Sequence, residues 1–142
     1  MHRIEPHPIE HTLTFKVPFF DVDPMLIVWH GNYFKYLEVA RAALLEKYGC
    51  GYATMAQCGL QFPIVDVKLS YRRSLHLDDV AAVRAYLLEC ENRLKVGYEI
   101  SHDGILCAYG YTVQAAVDAQ SHELLLQIPE VIQRCFQGEL CQ

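Results

Sequence analysis

The sequence predicts an α+β protein in which an antiparallel sheet wraps one long helix. Three observations carry that reading: a strand-like alternation near the N-terminus, a single long helical run from Tyr33 to Tyr48, and four strand-like segments between residues 65 and 117.

In the first strand Leu13, Phe15, Val17 and Phe19 alternate with Thr14, Lys16 and Pro18, the period of a half-buried strand. Pro18 cannot donate to a ladder, so it sends this strand to a sheet edge or ends it. Asp21-Val22-Asp23-Pro24 breaks the alternation. In the helical run Tyr33, Leu37, Ala40, Leu44 and Tyr48 recur on one face, with Asn32 as the expected N-cap and Gly49 as a left-handed C-cap. A Gly-containing connection leads through Gly59. Val65, Val67, Leu69 and Tyr71 then alternate with Asp66, Lys68 and Ser70. Val80 to Glu89 forms the next strand and turns at Glu91-Asn92 into Leu94, Val96, Tyr98 and Ile100, which alternate with Lys95, Gly97 and Glu99. Asp103-Gly104 is a two-residue hairpin signal. The strand it opens, Ile105 to Val117, is apolar on both faces and therefore expected centrally in the sheet. Pro129 opens a short C-terminal helix ending at Phe136.

A chain of 142 residues with 52% hydrophobic and 20% charged residues is long enough to bury a core without disulfides or metal. Residues 1–142 are read as one domain, with a core at about 10–120 and a C-terminal extension carrying the short helix. A net charge of −5, with twelve Lys and Arg scattered along the chain, lacks the clustered positive charge of a nucleic-acid binder. No stretch approaches the roughly 20 apolar residues of a membrane span, and MHRIEPHPIEH lacks the apolar run of a signal peptide. The expectation is a cytoplasmic protein, with neither nucleic acid nor membrane as partner, that acts on small molecules or proteins. Its six cysteines, at 50, 58, 90, 107, 135 and 141, show no C-x-x-C pair and no zinc-type Cys–His spacing. Packing roles are expected for them, Cys107 within an apolar strand, and no metal.

The informative stretch runs from Phe19 to Tyr33. Two carboxylates, Asp21 and Asp23, stand at a strand end before the long helix, and the apolar run Met25 to Trp29 separates them from His30. Such a loop is expected to be buried or covered by a partner. There a carboxylate loses hydration, which raises its basicity, and the unpaired N–H groups of a helix start favour negative charge. That pairing suits acyl transfer. The same residues also have structural readings: Asp-Pro as a turn device, His30 as a capping or packed residue, Trp29 and Tyr33 as core or interface aromatics, and Glu38 with Arg41 as an intrahelical ion pair.

The segment FFDVDPMLIVWHGNYFKYLEVARAALLEKYG resembles the opening of the 4-hydroxybenzoyl-CoA thioesterase-like branch of the hotdog superfamily: Asp-x-Asp, a short apolar loop, His or Tyr, x-Asn-Tyr, then the long helix. Within that branch the pieces at 23–25, 28–33 and 62–66 are most similar to acyl thioesterases found beside aryl-polyene biosynthesis enzymes. The resemblance implies a hotdog fold and hydrolysis of acyl-CoA or acyl-carrier-protein thioesters to free acid and thiol, with no metal or redox cofactor. It also implies a homodimer or homotetramer with sites between protomers. By it Asp23 matches the catalytic carboxylate, a general base or a nucleophile, and His30 falls at the His/Tyr position near the thioester. The N–H of Gly31 or a close neighbour becomes the oxyanion donor, and the Asn32 side chain caps or positions the turn. Met25-Leu26 stand where relatives often carry small residues, which narrows or reshapes the acyl pocket. Met25, Leu26, Trp29, Tyr33, Phe34 and Tyr71 are expected to wall that pocket. Lys68, Arg72, Arg73, Arg93 and Lys95 are the basic residues available to the carrier's phosphates, or else a solvated sheet face. Three rival readings stay open: a 3-hydroxyacyl thioester dehydratase, disfavoured because Asp23 precedes the helix, a non-catalytic acyl-CoA-binding or sensing protein, and an interaction domain whose apolar loop is an oligomer interface.

Overall fold

The computed structural model describes residues 6–140. In chain order it runs β1 (Glu10–Lys16), α1 (Tyr33–Lys47), α2 (Tyr52–Gln57), β2 (Leu60–Gln61), β3 (Ile64–Tyr71), β4 (Val80–Cys90), β5 (Leu94–His102), β6 (Ile105–Gln114), β7 (Ala116–Asp118), β8 (Leu124–Leu125) and α3 (Glu130–Leu140). Five strands make one antiparallel sheet in the order β1-β4-β5-β6-β3. Helix α1 lies against β1 and β4 and buries Tyr33, Tyr36, Leu37, Ala40, Leu44 and Leu45. These meet Val83, Ala85, Val96, Tyr98, Ile100 and Ala108 in a single core. Each large apolar side chain so buried contributes roughly 1.5–3 kcal/mol.

The helix falls where its period places it, and Gly49 takes the left-handed conformation (φ +77°) that ends it. Asp103 and Gly104 both have positive φ, as a two-residue hairpin with the twist of its strands requires. The first strand is an edge strand, and it stops at Lys16 before Pro18. Arg84 on β4, almost fully buried, ties that edge to the sheet by reaching Glu10 on β1 (2.6 Å) and Glu99 on β5 (2.5 Å).

Three expectations are corrected. The strand predicted from Ile105 to Val117 is two strands: it breaks at Ala115, whose N–H donates to Pro63 O (3.1 Å), and β7 leaves to form a separate small sheet with β2 and β8. The remaining β6 is interior, between β5 and β3, although β5 is the central strand. The connection before Gly59 contains α2, a short helix that buries Met55. Finally, α3 runs to Leu140, past Phe136, and seats Ile132 and Phe136 in the core. Cys50 and Cys107 are buried, Cys58 is exposed, and Cys141 lies outside the described residues. Among the described residues no helix is long and apolar enough to cross a membrane.

Candidate active site

Between β1 and α1 the chain makes two short 3-10 turns, Phe19–Asp21 and His30–Asn32, joined by a small hairpin. Val22 and Val28 form its antiparallel bridge, the Asp23 N–H donates to Ile27 O (2.8 Å), and the Leu26 N–H donates to Asp23 O (2.9 Å). Leu26, at φ +65°, sits at the tip. The hairpin is clamped to the segment before β4, because the Val28 N–H donates to Leu75 O (2.8 Å) and the Leu77 N–H to Leu26 O (3.0 Å). Only Val28 of the apolar run is buried; Met25, Leu26 and Trp29 stand out of the protein surface.

The two carboxylates have different surroundings. Asp21 is buried, with its carboxylate paired to Lys35 Nζ and accepting the Tyr36 hydroxyl (2.7 Å). Its backbone carbonyl accepts the Trp29 N–H (3.1 Å) and the Asn32 side-chain amide (2.8 Å). Burial first, then the hydrogen bond to Asp21 and its charge, push the Tyr36 phenol well above its ordinary value, so it remains a donor. Asp21 thus holds the two ends of the loop together. Asp23 is half-buried, and its Oδ1 accepts the N–H groups of Met25 (2.8 Å) and Ile27 (3.4 Å), the turn role expected of Asp before Pro. Its Oδ2 takes no hydrogen bond among the described residues.

Asn32 does not cap α1. Its backbone is already helical (φ −72°, ψ −17°), and its side chain turns back to Asp21. The Asn32 N–H donates to Trp29 O (2.9 Å) and the Tyr33 N–H to His30 O, while no hydrogen bond among the described residues takes the N–H of His30 or Gly31. A helix start with free donors carries a partial positive charge. The Trp29 ring lies across Gly31: a Cβ there would come within 2.1 Å of Trp29 Cζ3, so this position accepts glycine for reasons of space.

Asp23, Trp29, His30, Tyr33, Tyr71, Arg72 and Arg73, all singled out in the sequence, line one cleft of about 280 Å³, together with Ile27, Val28 and Ser74. Tyr71 donates to His30 O (2.8 Å), and its ring meets that of Tyr33 edge-on, 5.0 Å between centroids. Burial raises the pKa of both phenols, which keeps them protonated, Tyr71 as a donor and Tyr33 as a wall whose hydroxyl oxygen accepts the Leu75 N–H (3.2 Å). The backbone N–H groups of Arg72 and Arg73 both donate to Cys107 O (2.7 and 3.0 Å), an irregularity at the end of β3 that leaves both side chains exposed at the cleft. Met25, Leu26 and Phe34 do not line it: the first two project from the hairpin and Phe34 from the outer face of α1. Nor do Gly31, Asn32, Lys68, Arg93 or Lys95. Arg93 pairs with Glu89 (3.6 Å), and Lys95 lies over the Tyr111 ring. Ser74 was missed, since nothing in its sequence context distinguishes it. Glu38 and Arg41 do pair on the helix, but Arg41 is also buried and donates to Tyr52 Oη (2.6 Å), an inward role the spacing did not reveal.

The model of the thioesterase-like superfamily matches residues 17–136, which span both the loop and the sheet. The chain belongs to that superfamily. A Bacillus subtilis protein provisionally named an acyl-CoA thioesterase is 31% identical over 98 residues, covering 69% of this chain and 62% of that protein. The chain spans about two thirds or less of the length of the curated relatives it matches. A solved structure of a hypothetical protein from Thermus thermophilus is 32% identical, with a TM-score of 0.81, covering 91% of this chain and 96% of that one. The DHNA-CoA thioesterase of Staphylococcus aureus is 21% identical with a TM-score of 0.82, covering 93% of this chain and 91% of its own, and is similar in fold. The fold is the hotdog fold of these thioesterases.

Proposed function

We propose that the protein hydrolyses acyl thioesters of coenzyme A or of an acyl carrier protein to free acid and thiol. The observation that carries this reading is a carboxylate with one oxygen outside any described hydrogen bond that shares a cleft with His30, at a helix start whose His30 and Gly31 N–H groups have no described acceptor, Gly31 itself standing behind Trp29 and outside the cleft lining. In the base route Asp23 takes a proton from water and the hydroxide formed adds to the carbonyl carbon. The oxyanion accepts from the helix-start N–H groups, and the intermediate collapses with loss of the thiolate, which is then protonated. In the nucleophile route Asp23 adds to the carbonyl, the thiolate leaves, and water hydrolyses the mixed anhydride. One oxyanion donor is worth about 2.7–4 kcal/mol, comparable with the carboxylate itself.

Arg72 and Arg73 suit the phosphates of the thiol carrier, which otherwise meet a chain of net charge −5. The likeness to the B. subtilis protein supports coenzyme A as carrier. Trp29, Tyr33 and Tyr71 suit a neutral apolar acyl group, in line with the resemblance to thioesterases found beside aryl-polyene enzymes. The reading takes the chain as a single-domain cytoplasmic enzyme that works as a homodimer or homotetramer. Met25 is 73% exposed beside the cleft, and the edge strand β3 exposes Ile64, Val65 and Val67; exposed apolar surface of this kind marks interfaces. The test is thiol release from straight-chain, aromatic and dicarboxyl acyl groups on both carriers. A graded preference among the neutral groups is expected. No release from any of them sinks the reading, and single turnover in ¹⁸O-water probes the route: label in Asp23 requires the anhydride and attack of water on the Asp23 carboxyl carbon, whereas label in the product acid alone fits either route.

A further inference from the structure

We infer that the groove between β1 and α1 is a second binding site, on the other side of the loop from the Asp23 cleft, for a free single-chain aliphatic carboxylate. The groove encloses about 410 Å³, within the range of small-molecule sites, and is walled by Leu13, Phe15, Phe20, Tyr36, Val39 and Val83. Phe20 and Val39 are 74% and 55% exposed although they line it, so these walls are uncovered.

Charge decides what covers them. The ionic residues in the lining are Lys16, Lys35 and Asp21. Asp21 is spent internally, on Lys35 and Tyr36. Lys35 is half-exposed, with Nζ 5.6 Å from the centroids of both Phe20 and Tyr36, and an ammonium has three donors of which Asp21 takes one. Among the described residues Lys16 reaches only Asp78, at 3.6 Å, and both partners are about two-thirds exposed, which makes a weak and exchangeable contact. An apolar trough with lysine donors at its edge complements an aliphatic tail ending in a carboxylate, and it disfavours the same tail ending in a cation. The site stands independently of thioester hydrolysis, because none of its residues lines the catalytic cleft.

The experiment is calorimetric titration of the full chain with decanoate and with decyltrimethylammonium, both below their micellar concentrations. Saturable decanoate binding of one per chain is expected, with the cationic amphiphile at least tenfold weaker. Val39→Trp fills the groove from an exposed helix position, and Thr14→Glu adds a negative charge at an exposed strand position. Each is expected to weaken decanoate at least tenfold with unchanged circular dichroism, while Trp29→Ala in the cleft leaves it unaltered. Binding that survives both groove variants, or that Trp29→Ala removes, places the ligand in the cleft and overturns the inference. Equal affinity for the cation overturns it too. So does an oligomer that fails to bind decanoate and dissociates on Val39→Trp, since the groove's occupant is then a second copy of the chain.

Discussion

Replacing Asp21 tests whether this carboxylate holds the loop rather than acting on substrate. Its side chain is 3% exposed and makes two contacts of different kinds: an ion pair to Lys35, which is 48% exposed, and a hydrogen bond from the uncharged hydroxyl of the buried Tyr36. Asp21→Asn removes the charge but keeps an oxygen for Tyr36, and Lys35 can return to water. The loss is therefore that of a charge-assisted hydrogen bond, about 2 kcal/mol, and not the 3–5 kcal/mol of a stranded buried ion. Asp21→Ala also leaves the Tyr36 hydroxyl without its acceptor, which adds roughly 1–3 kcal/mol and brings the total to about 4 kcal/mol. Urea unfolding followed by far-UV circular dichroism reads both: at slopes of about 1–3 kcal/mol/M the asparagine variant moves the midpoint by about 1 M with no change of slope. The ordering Ala worse than Asn is the diagnostic result. Midpoints within about 0.2 M of wild type for both variants would refute the idea that Asp21 fastens the loop.

Gly31→Ala keeps the backbone N–H but displaces the Trp29 ring; as that ring is about half exposed, the unfolding midpoint should hardly move while Trp29, the only tryptophan, shifts its emission and KM rises. An unchanged emission spectrum tells against the packing of Trp29 over Gly31. Removing Arg72 and Arg73 together should raise KM for acyl-CoA with kcat nearly kept, and the effect should shrink in high salt; a loss confined to kcat contradicts a carrier-binding role. The Glu10 carboxyl feels burial, which alone would raise its pKa, but the Arg84 hydrogen bond and charge and the His7 N–H outweigh it and hold the pKa below the ordinary 4.5. Stability from this group is therefore present above pH 4.5 and lost as pH falls through the lowered value, so Glu10→Gln should flatten the acid limb of the stability curve; an unaltered limb counts against the Arg84 clamp.

The parts of the fold that follow from local pattern were legible in the sequence. The helix face at Tyr33, Leu37, Ala40 and Leu44 follows from period and the edge position of β1 from the missing N–H of Pro18, while Gly49 and Asp103-Gly104 follow from backbone sterics. The break at Ala115 was not legible, because β6 and β7 share one apolar pattern and only the bond to Pro63, remote in sequence, separates them. The same limit applies to the site. Spacing and resemblance gathered Asp23, Trp29, His30, Tyr33, Tyr71, Arg72 and Arg73, which the fold brings to one cleft. The direction of a side chain is a tertiary property. Thus Asn32 turns back to Asp21 instead of capping, Met25 and Leu26 ride outward on a turn with positive φ at Leu26, and Arg41 reaches inward to Tyr52.

The central claim rests on Asp23, and the most direct measurement is kcat/KM for thiol release from an acyl-CoA by wild type and Asp23→Asn. The amide oxygen of asparagine can still accept the Met25 N–H, so the hairpin and the unfolding midpoint should be preserved. The variant loses the charge that activates water or attacks the carbonyl, a role worth on the order of 10²–10⁴ in rate, or about 2.7–5.4 kcal/mol. The account predicts a folded variant slower by that factor. A folded Asp23→Asn protein with near wild-type kcat/KM would contradict it and reduce Asp23 to the turn residue that its bonds to Met25 and Ile27 also describe.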